Sequence, residues 1–171
     1  MQSKKQVMKL AFSAMFAALI FVATSFFKLP VSVTQGYIHL GDGFILLGAA
    51  LLGQPAIIAA ALGSALADLL GGYTVYILPT FIIKGATAAV AVCFMKEGRP
   101  FWLRLIGMVL AEAVMVLGYW FYDGLLMGSL AGAAVGLPSN LMQAVFGLAA
   151  SSALTIALKS SAYVRREFHH F

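Results

Sequence analysis

Charged residues are scarce in this chain. Asp, Glu, Lys and Arg together make up 10% of its 171 residues, whereas 62% are hydrophobic, and the mean hydropathy is +0.96. That balance excludes an ordinary soluble domain and is typical of an integral membrane protein. The single cysteine, Cys93, excludes any disulfide within the chain.

Motifs for several kinds of chemistry are also missing. The sequence has no phosphate-binding loop of the Walker type, no residues at zinc-ligand spacing, and no nucleophile accompanied by a base. We therefore expect a protein that is not an enzyme, that carries neither metal nor cofactor, and that would need an outside energy source for uphill transport. Nucleic-acid binding is not indicated by the net charge of +5, because the basic residues flank apolar segments and do not alternate with aromatic residues.

The long apolar segments predict an all-α membrane protein. Six of them can be placed as transmembrane helices, at residues 6–27, 38–52, 55–70, 78–95, 102–126 and 138–160. The alternating pattern of a membrane barrel is absent from the sequence. We expect one six-helix domain over residues 1–171, with its second and third helices short for a bilayer about 30 Å thick.

The basic residues predict how this bundle is oriented. With six spans, the lysines and arginines near both termini and in the loop after the fourth span fall on one side, and only Lys28 flanks the other. The positive-inside rule then places both termini in the cytoplasm of a multi-pass protein of the cell membrane. Residues 28–37 would lie outside, where their short extended pattern predicts a lid over the bundle.

Charged side chains interrupt the apolar segments at a few positions. A charge near the bilayer centre is costly, so such residues usually face a cavity or a partner rather than lipid. The predicted topology gathers these charges with amides and tyrosines in the outer half of the bundle, which indicates a pocket for a small polar molecule. The residues predicted to bind it are Tyr37, His39, Asp68, Tyr76, Thr80, Lys84, Glu112, Tyr119, Asp123, Asn140 and Gln143.

The same residues have structural interpretations as well. Lys84 could form an ion pair with Asp68 or Glu112 that holds helices together. Asp42 could cap the second helix, and the amides of the last helix could join two helices rather than contact a ligand. The lone His39 is expected to be packed or solvated rather than a metal ligand, because no second ligand residue has suitable spacing.

The first helix carries a face of small residues. Ala14 and Ala18 lie four residues apart, a spacing that lets another helix approach closely. This face could serve internal packing or docking to a membrane partner.

Four short motifs, taken together, resemble the S components of energy-coupling factor (ECF) vitamin transporters. They are YIHLGDG at 37–43, GSALADLLGGY at 63–73, PTFIIKG at 79–85 and NLMQ at 140–143. The similarity extends over nearly the whole chain and is closest to the branch labelled riboflavin-type, a label that covers several substrates, including pyridoxine and pyrimidine precursors.

The resemblance implies a substrate-binding subunit that captures a vitamin near the outer surface. Such a subunit associates with a transmembrane coupling subunit and two ATPases, and it topples in the membrane to release its ligand inside. Ala14 and Ala18 match the residues that contact the coupling subunit in this family. The segment 28–37 matches the loop that closes over the ligand.

The ligand itself stays open at this stage. Lys84, Thr80, Asn140 and Gln143, together with several tyrosines, suit a small ring bearing hydroxyl or amino groups, which favours a vitamin B6 form such as pyridoxine, or hydroxymethylpyrimidine. Riboflavin is the alternative, since it demands a larger apolar wall.

Two other classes of protein compete with this interpretation. A stand-alone proton-coupled secondary carrier would use Asp68, Lys84 or Glu112 to exchange protons, although the short chain shows no inverted repeat. An intramembrane enzyme would depend on Glu112 or Asp123.

Overall fold

The computed structural model of the chain describes residues 2–31, 36–96 and 98–159. Helices dominate this part of the chain, and one short β-hairpin lies between the first two. The elements are α1 (Gln2–Phe26), β1 (Lys28–Val31), β2 (Gly36–His39), α2 (Gly41–Leu52), α3 (Pro55–Gly71), α4 (Ile77–Phe94), α5 (Phe101–Met127), α6 (Leu130–Ala133) and α7 (Leu137–Lys159). Single 3₁₀ turns at Thr74–Tyr76 and Ala134–Gly136 precede α4 and α7.

Helices are present at all six predicted spans, but they are not equally long. Within the described ranges, four helical stretches are long and apolar enough to cross a membrane, namely Gln6–Phe26, Thr74–Phe94, Phe101–Met127 and Leu130–Leu158. The α2 and α3 helices have only 12 and 17 residues. At 1.5 Å per residue they reach about 18 and 25 Å, less than a hydrocarbon core of about 30 Å. A count of six complete spans therefore stays a prediction.

The short α2 helix forms the centre of the bundle. Nine of its 12 residues are buried, as expected for an apolar helix too short to span a bilayer. Its Leu46 and Ala49 join Met108 of α5 in one core cluster, and its Ile45 joins Ile20 of α1 in another. Side chains near the start of α2 are consequently held inside the bundle rather than at its surface.

Glycines follow the ends of α2 and α3, and a proline begins α3, at boundaries close to the predicted ones. The α2 helix ends at Gly53 with φ +66°, and Pro55 begins α3 at a position where its missing N–H costs nothing. The α3 helix ends at Gly72 with φ +80°, and the Gly72 N–H contacts the last carbonyls of the helix. These breaks confirm the predicted boundaries between the second, third and fourth helices.

The start of the second helix was predicted too early. Residues 38–40 were assigned to the helix, but β2 runs to His39 and pairs antiparallel with β1, placing Lys28 opposite His39. Hydrophobicity marks this segment as buried, yet pairing with β1 satisfies its backbone groups as well as a helix would. An extended segment was expected in this region and is present. The lid remains a prediction, because residues 32–35 and the Tyr37 side chain lie outside what the structure describes.

Candidate functional site

A cavity of about 180 Å³ opens at one end of the bundle. It lies where α3 and α5 end and where α4 and α7 begin, with β2 and the end of α1 completing the wall. All but one of its lining residues carry a polar side chain. They are Thr24, His39, Ser64, Asp68, Tyr73, Tyr76, Thr80, Lys84, Tyr119, Asp123, Gly136, Ser139, Asn140 and Gln143.

The structure brings together nearly all of the residues that the sequence predicts for the site. Nine of the eleven line this one cavity: His39, Asp68, Tyr76, Thr80, Lys84, Tyr119, Asp123, Asn140 and Gln143. Of the other two, Tyr37 lies in β2 and its side chain is outside the described part of the chain, whereas Glu112 lies behind the cavity wall. Convergence of side chains from five elements explains why so apolar a chain carries charges inside its helices.

An ion pair lies at the base of the cavity. Lys84 Nζ is 2.6 Å from Asp42 Oδ1, and the two residues are 1% and 0% exposed. Gln143 donates from Nε2 to the other carboxylate oxygen, Asp42 Oδ2, at 2.6 Å. One carboxylate thus connects α2, α4 and α7, and both of its oxygens accept a hydrogen bond.

This arrangement corrects two of the structural interpretations. The buried partner of Lys84 was expected to be Asp68 or Glu112, and it is Asp42. Asp42 could have capped α2, but the N-cap residue is Leu40, which makes no side-chain cap, and the Gly41 N–H at that end donates to His39 Nδ1 at 3.1 Å. The physical reason is the central position of α2: the first turn of a core helix faces its neighbours, which the sequence of that helix alone does not reveal.

The two amides of α7 have different environments. Gln143 is 3% exposed, and its Nε2 contacts Asp42 and, more weakly, Met115 Sδ at 3.8 Å. Gln143 therefore joins two helices, which is one of the two interpretations that the sequence left open. Asn140 is only partly buried and makes no side-chain hydrogen bond among the described residues. Of the two, Asn140 has the amide that is available to a ligand.

Tyrosines form the outer rim of the cavity and are fixed by hydrogen bonds. Tyr76 donates to Asp123 Oδ1 at 2.8 Å, and the hydroxyls of Thr80 and Tyr119 are 2.9 Å apart. The Tyr119 ring also lies 5.3 Å from Lys84 Nζ, within the range of a cation–π interaction. The phenol groups of Tyr76 and Tyr119 are thus held by hydrogen bonds.

Glu112 is buried but does not reach the cavity. It is 2% exposed, and neither carboxyl oxygen has a hydrogen-bond partner among the described residues. Gly147 of α7 separates it from Asp42, since a Cβ built on Gly147 would lie 3.0 Å from Asp42 Cβ and 3.2 Å from Glu112 Oε1. Glu112, Tyr119 and Asp123 of α5 lie at different depths, and of the three only Tyr119 and Asp123 line the cavity.

Several lining residues escaped prediction, although signals existed for some. Ser64 lies four residues before Asp68, on the same face of α3, and Ser139 adjoins Asn140. Thr24, near the end of α1, gave no sequence signal, because a lone threonine in an apolar helix is common. Within the described ranges, no group of three or more His, Cys, Asp or Glu side chains could hold a metal ion.

These features define a helical membrane protein with a polar binding cavity at one end. The sequence model of the family described as "ECF-type riboflavin transporter, S component" matches residues 4–160. This chain belongs to that family of S components, which are substrate-binding subunits of transporters and not enzymes.

Two individual proteins are also similar to this chain. A protein of Pyrococcus woesei, described as "Uncharacterized protein in gap 3'region", is 36% identical over 140 residues, covering 81% of this chain and 93% of that protein. A solved structure described as "Structure and mechanism of the S component of a bacterial ECF transporter" superimposes with a TM-score of 0.73 at 21% identity. It covers 91% of this chain and 97% of that one, and at this identity it shows the fold alone.

Proposed function

We propose that this chain is the vitamin-binding S component of an ECF-type importer. It captures a small heterocyclic vitamin at the outer face of the cell membrane and delivers it inward together with a coupling subunit and two ATPases. The observation that carries the proposal is the polar cavity at one end of an otherwise apolar bundle. A polar cavity among membrane helices is costly unless a polar molecule or water occupies it.

The size of the cavity favours a ligand with a single ring. Its volume of about 180 Å³ is below the range of roughly 300–1,000 Å³ that accommodates drug-sized molecules. Riboflavin, with three fused rings and a ribityl chain, would need the walls to move apart. A vitamin B6 form such as pyridoxine, or hydroxymethylpyrimidine, would fit with less rearrangement.

The chemistry of the wall suits hydroxyl and amino substituents. Lys84 has three N–H donors and the structure commits one of them to Asp42, so the others can reach a ligand without breaking the ion pair. The Asn140 amide offers both a donor and an acceptor, and the Gln143 carbonyl offers a further acceptor. Tyr119 adds an aromatic face beside Lys84, against which a flat ring can pack.

The proposed partner would dock on α1. Ala14 and Ala18 are both exposed, as are Met15 at 45% and Leu19 at 37%. Their exposure supports docking to a partner over internal packing, the competing interpretation. A row of small side chains on the outside of the bundle gives a transmembrane coupling subunit a surface for close approach. Cytoplasmic termini would place the cavity on the outer side, where the vitamin arrives.

The test begins with the ligand that the protein retains on purification. The full chain, purified in mild detergent and then denatured, should release a stoichiometric pyridine or pyrimidine detectable by mass spectrometry. Calorimetric titration of the emptied protein with pyridoxine, hydroxymethylpyrimidine and riboflavin would rank the three. Tight binding of riboflavin alone would replace the single-ring assignment, and failure of every vitamin to bind would contradict the proposal.

Transport assays separate the proposal from a proton-coupled carrier. Vesicles containing this chain alone should bind the vitamin but not accumulate it, and uptake should require the coupling subunit, the ATPases and ATP. Accumulation driven by a proton gradient in the absence of ATPases would favour the carrier, in which Asp68, Lys84 or Glu112 would exchange protons.

A further inference from the structure

A second cavity lies at the opposite end of the bundle. It has a volume of about 310 Å³ and is enclosed by the end of α2, the segment after α4, the beginning of α5 and the second half of α7. Its lining residues are Ala50, Met95, Arg99, Phe101, Arg104, Met108, Ser151, Ser152, Thr155 and Ile156. It is therefore separate from the vitamin cavity, which lies at the other end of the bundle.

Two arginines give this cavity a positive charge that the described residues do not neutralise. Arg99 and Arg104 are both partly buried, and neither forms an ion pair within the described part of the chain. Arg104 donates from Nε to the Arg99 carbonyl oxygen at 3.2 Å, and the Arg99 guanidinium lies 5.5 Å from the Phe94 ring. These contacts hold the two side chains beside the cavity while leaving most of their N–H groups unused.

Hydroxyl groups of α7 line the same cavity. Ser151 is 1% exposed, and within the described part of the chain its hydroxyl makes one long contact, of 3.9 Å from Oγ to Met108 Sδ. Ser152 and Thr155 lie one and four residues further along α7, and both also line the cavity. Guanidinium groups together with hydroxyl groups form a donor set that matches phosphate oxygens.

The walls near the opening are apolar and face the outside of the bundle. Phe101 and Ile156 both line the cavity and are 71% and 72% exposed. The adjoining Trp102 is 61% exposed, and tryptophan is enriched where membrane helices reach the headgroup level. A free phosphate ion would gain nothing from these apolar surfaces, whereas a lipid could lay its acyl chains along them.

We infer that this cavity binds the headgroup of an anionic phospholipid in the leaflet opposite the vitamin cavity. The phosphate lies between Arg99, Arg104 and the hydroxyls of α7, and the acyl chains extend past Phe101 and Ile156. Basic pockets between membrane helices are suited to such headgroups. Bound lipid would join the ends of α5 and α7 through a charged contact. The inference does not depend on which vitamin the other cavity takes.

The experiment uses the full chain in nanodiscs and in detergent with added lipid. Native mass spectrometry would count bound phosphatidylglycerol against phosphatidylcholine, and thermal unfolding would report stabilisation by each. The test variant is Arg99→Gln/Arg104→Gln, and the matched control is Lys96→Gln, which removes a nearby exposed charge outside the cavity. Loss of the charged hydrogen bonds should weaken phosphatidylglycerol binding about ten- to a hundred-fold in the double variant only.

Three results would overturn the inference. Equal retention of phosphatidylglycerol by the wild type and the double variant would show only general contact with lipid. Equal stabilisation by phosphatidylcholine would remove the need for an anionic headgroup, and equal stabilisation by inorganic phosphate would point to a soluble ligand. Should the double variant not fold, Arg104→Lys keeps the charge but loses the planar fork, and it should still lower the preference for phosphatidylglycerol.

Discussion

The buried ion pair at the base of the polar cavity predicts a large effect of removing its negative charge. Asp42→Asn replaces the carboxylate with an amide of nearly the same shape, so the packing of α2 is retained. It leaves Lys84, which is 1% exposed and 2.6 Å from the altered group, without its counterion. Gln143 also loses a charged acceptor for its hydrogen bond. The variant thus removes the charge of this side chain while keeping its volume.

The expected loss of stability follows from the burial of both partners. Removing one member of a buried ion pair costs about 3–5 kcal/mol, because the remaining charge is uncompensated. A chain of this size loses about 2–4 °C of unfolding temperature per kcal/mol, so Asp42→Asn should unfold roughly 6–20 °C below the wild type. Replacing both partners, in Asp42→Asn/Lys84→Met, removes the uncompensated charge and should recover much of that loss.

Thermal unfolding of the purified protein without ligand is the assay, with all variants compared in one detergent. The two single variants and the double variant form a cycle that isolates the coupling between the side chains. A wild-type unfolding temperature for Asp42→Asn would refute the reasoning. The reasoning would also be refuted if the unfolding temperature of the double variant fell by the sum of the two single decreases, because partners in a buried pair cannot behave independently.

Three further predictions concern the cavity, the interior and the outer face of α1. Asn140→Leu should weaken vitamin binding in calorimetry by about ten-fold, since a polar contact is lost, while the unfolding temperature stays unchanged; unaltered affinity would place the ligand elsewhere. Glu112→Gln should unfold at the same or a higher temperature, because a buried carboxyl without a hydrogen-bond partner gains nothing from its charge; a marked fall would show that the carboxylate acts as a counterion. Ala14→Trp should leave vitamin binding intact and abolish ATP-driven uptake in vesicles containing the complete importer, whereas Val109→Trp, an exposed position on α5, should leave uptake unchanged. Retention of uptake by Ala14→Trp would show that α1 is not the docking face.

Local features of the sequence predicted much of the fold. Apolar runs located the helices, because such signals act within a few residues. The strand ending at His39 was missed because its partner β1 lies about ten residues earlier, and apolar content alone does not distinguish a buried strand from a buried helix turn. Counting complete spans requires the membrane as well as the chain.

The sequence predicted most of the side chains that line the cavity, but not how they pair with one another. Helix depth follows from topology, so residues such as Thr80 and Asn140 could be assigned to one end of the bundle. Which carboxylate meets Lys84 depends on the rotation and position of α2, and a separation of 42 residues along the chain carries no signal for that contact. Glu112 was predicted to contact the ligand for a similar reason. The depth of a residue in the bundle does not reveal whether its side chain reaches the cavity.

The position of Asp42 gives the ion pair a role beyond stability. Asp42 does not line the cavity, but the two side chains it binds, Lys84 and Gln143, both do. Long side chains lose much rotamer freedom when a ligand fixes them, and here the carboxylate has already fixed two of them. A ligand therefore meets preorganised donors, which lowers the entropic cost of binding. We therefore propose that Asp42 positions these two side chains, and Asp42→Asn should weaken vitamin binding even though Asp42 does not line the cavity.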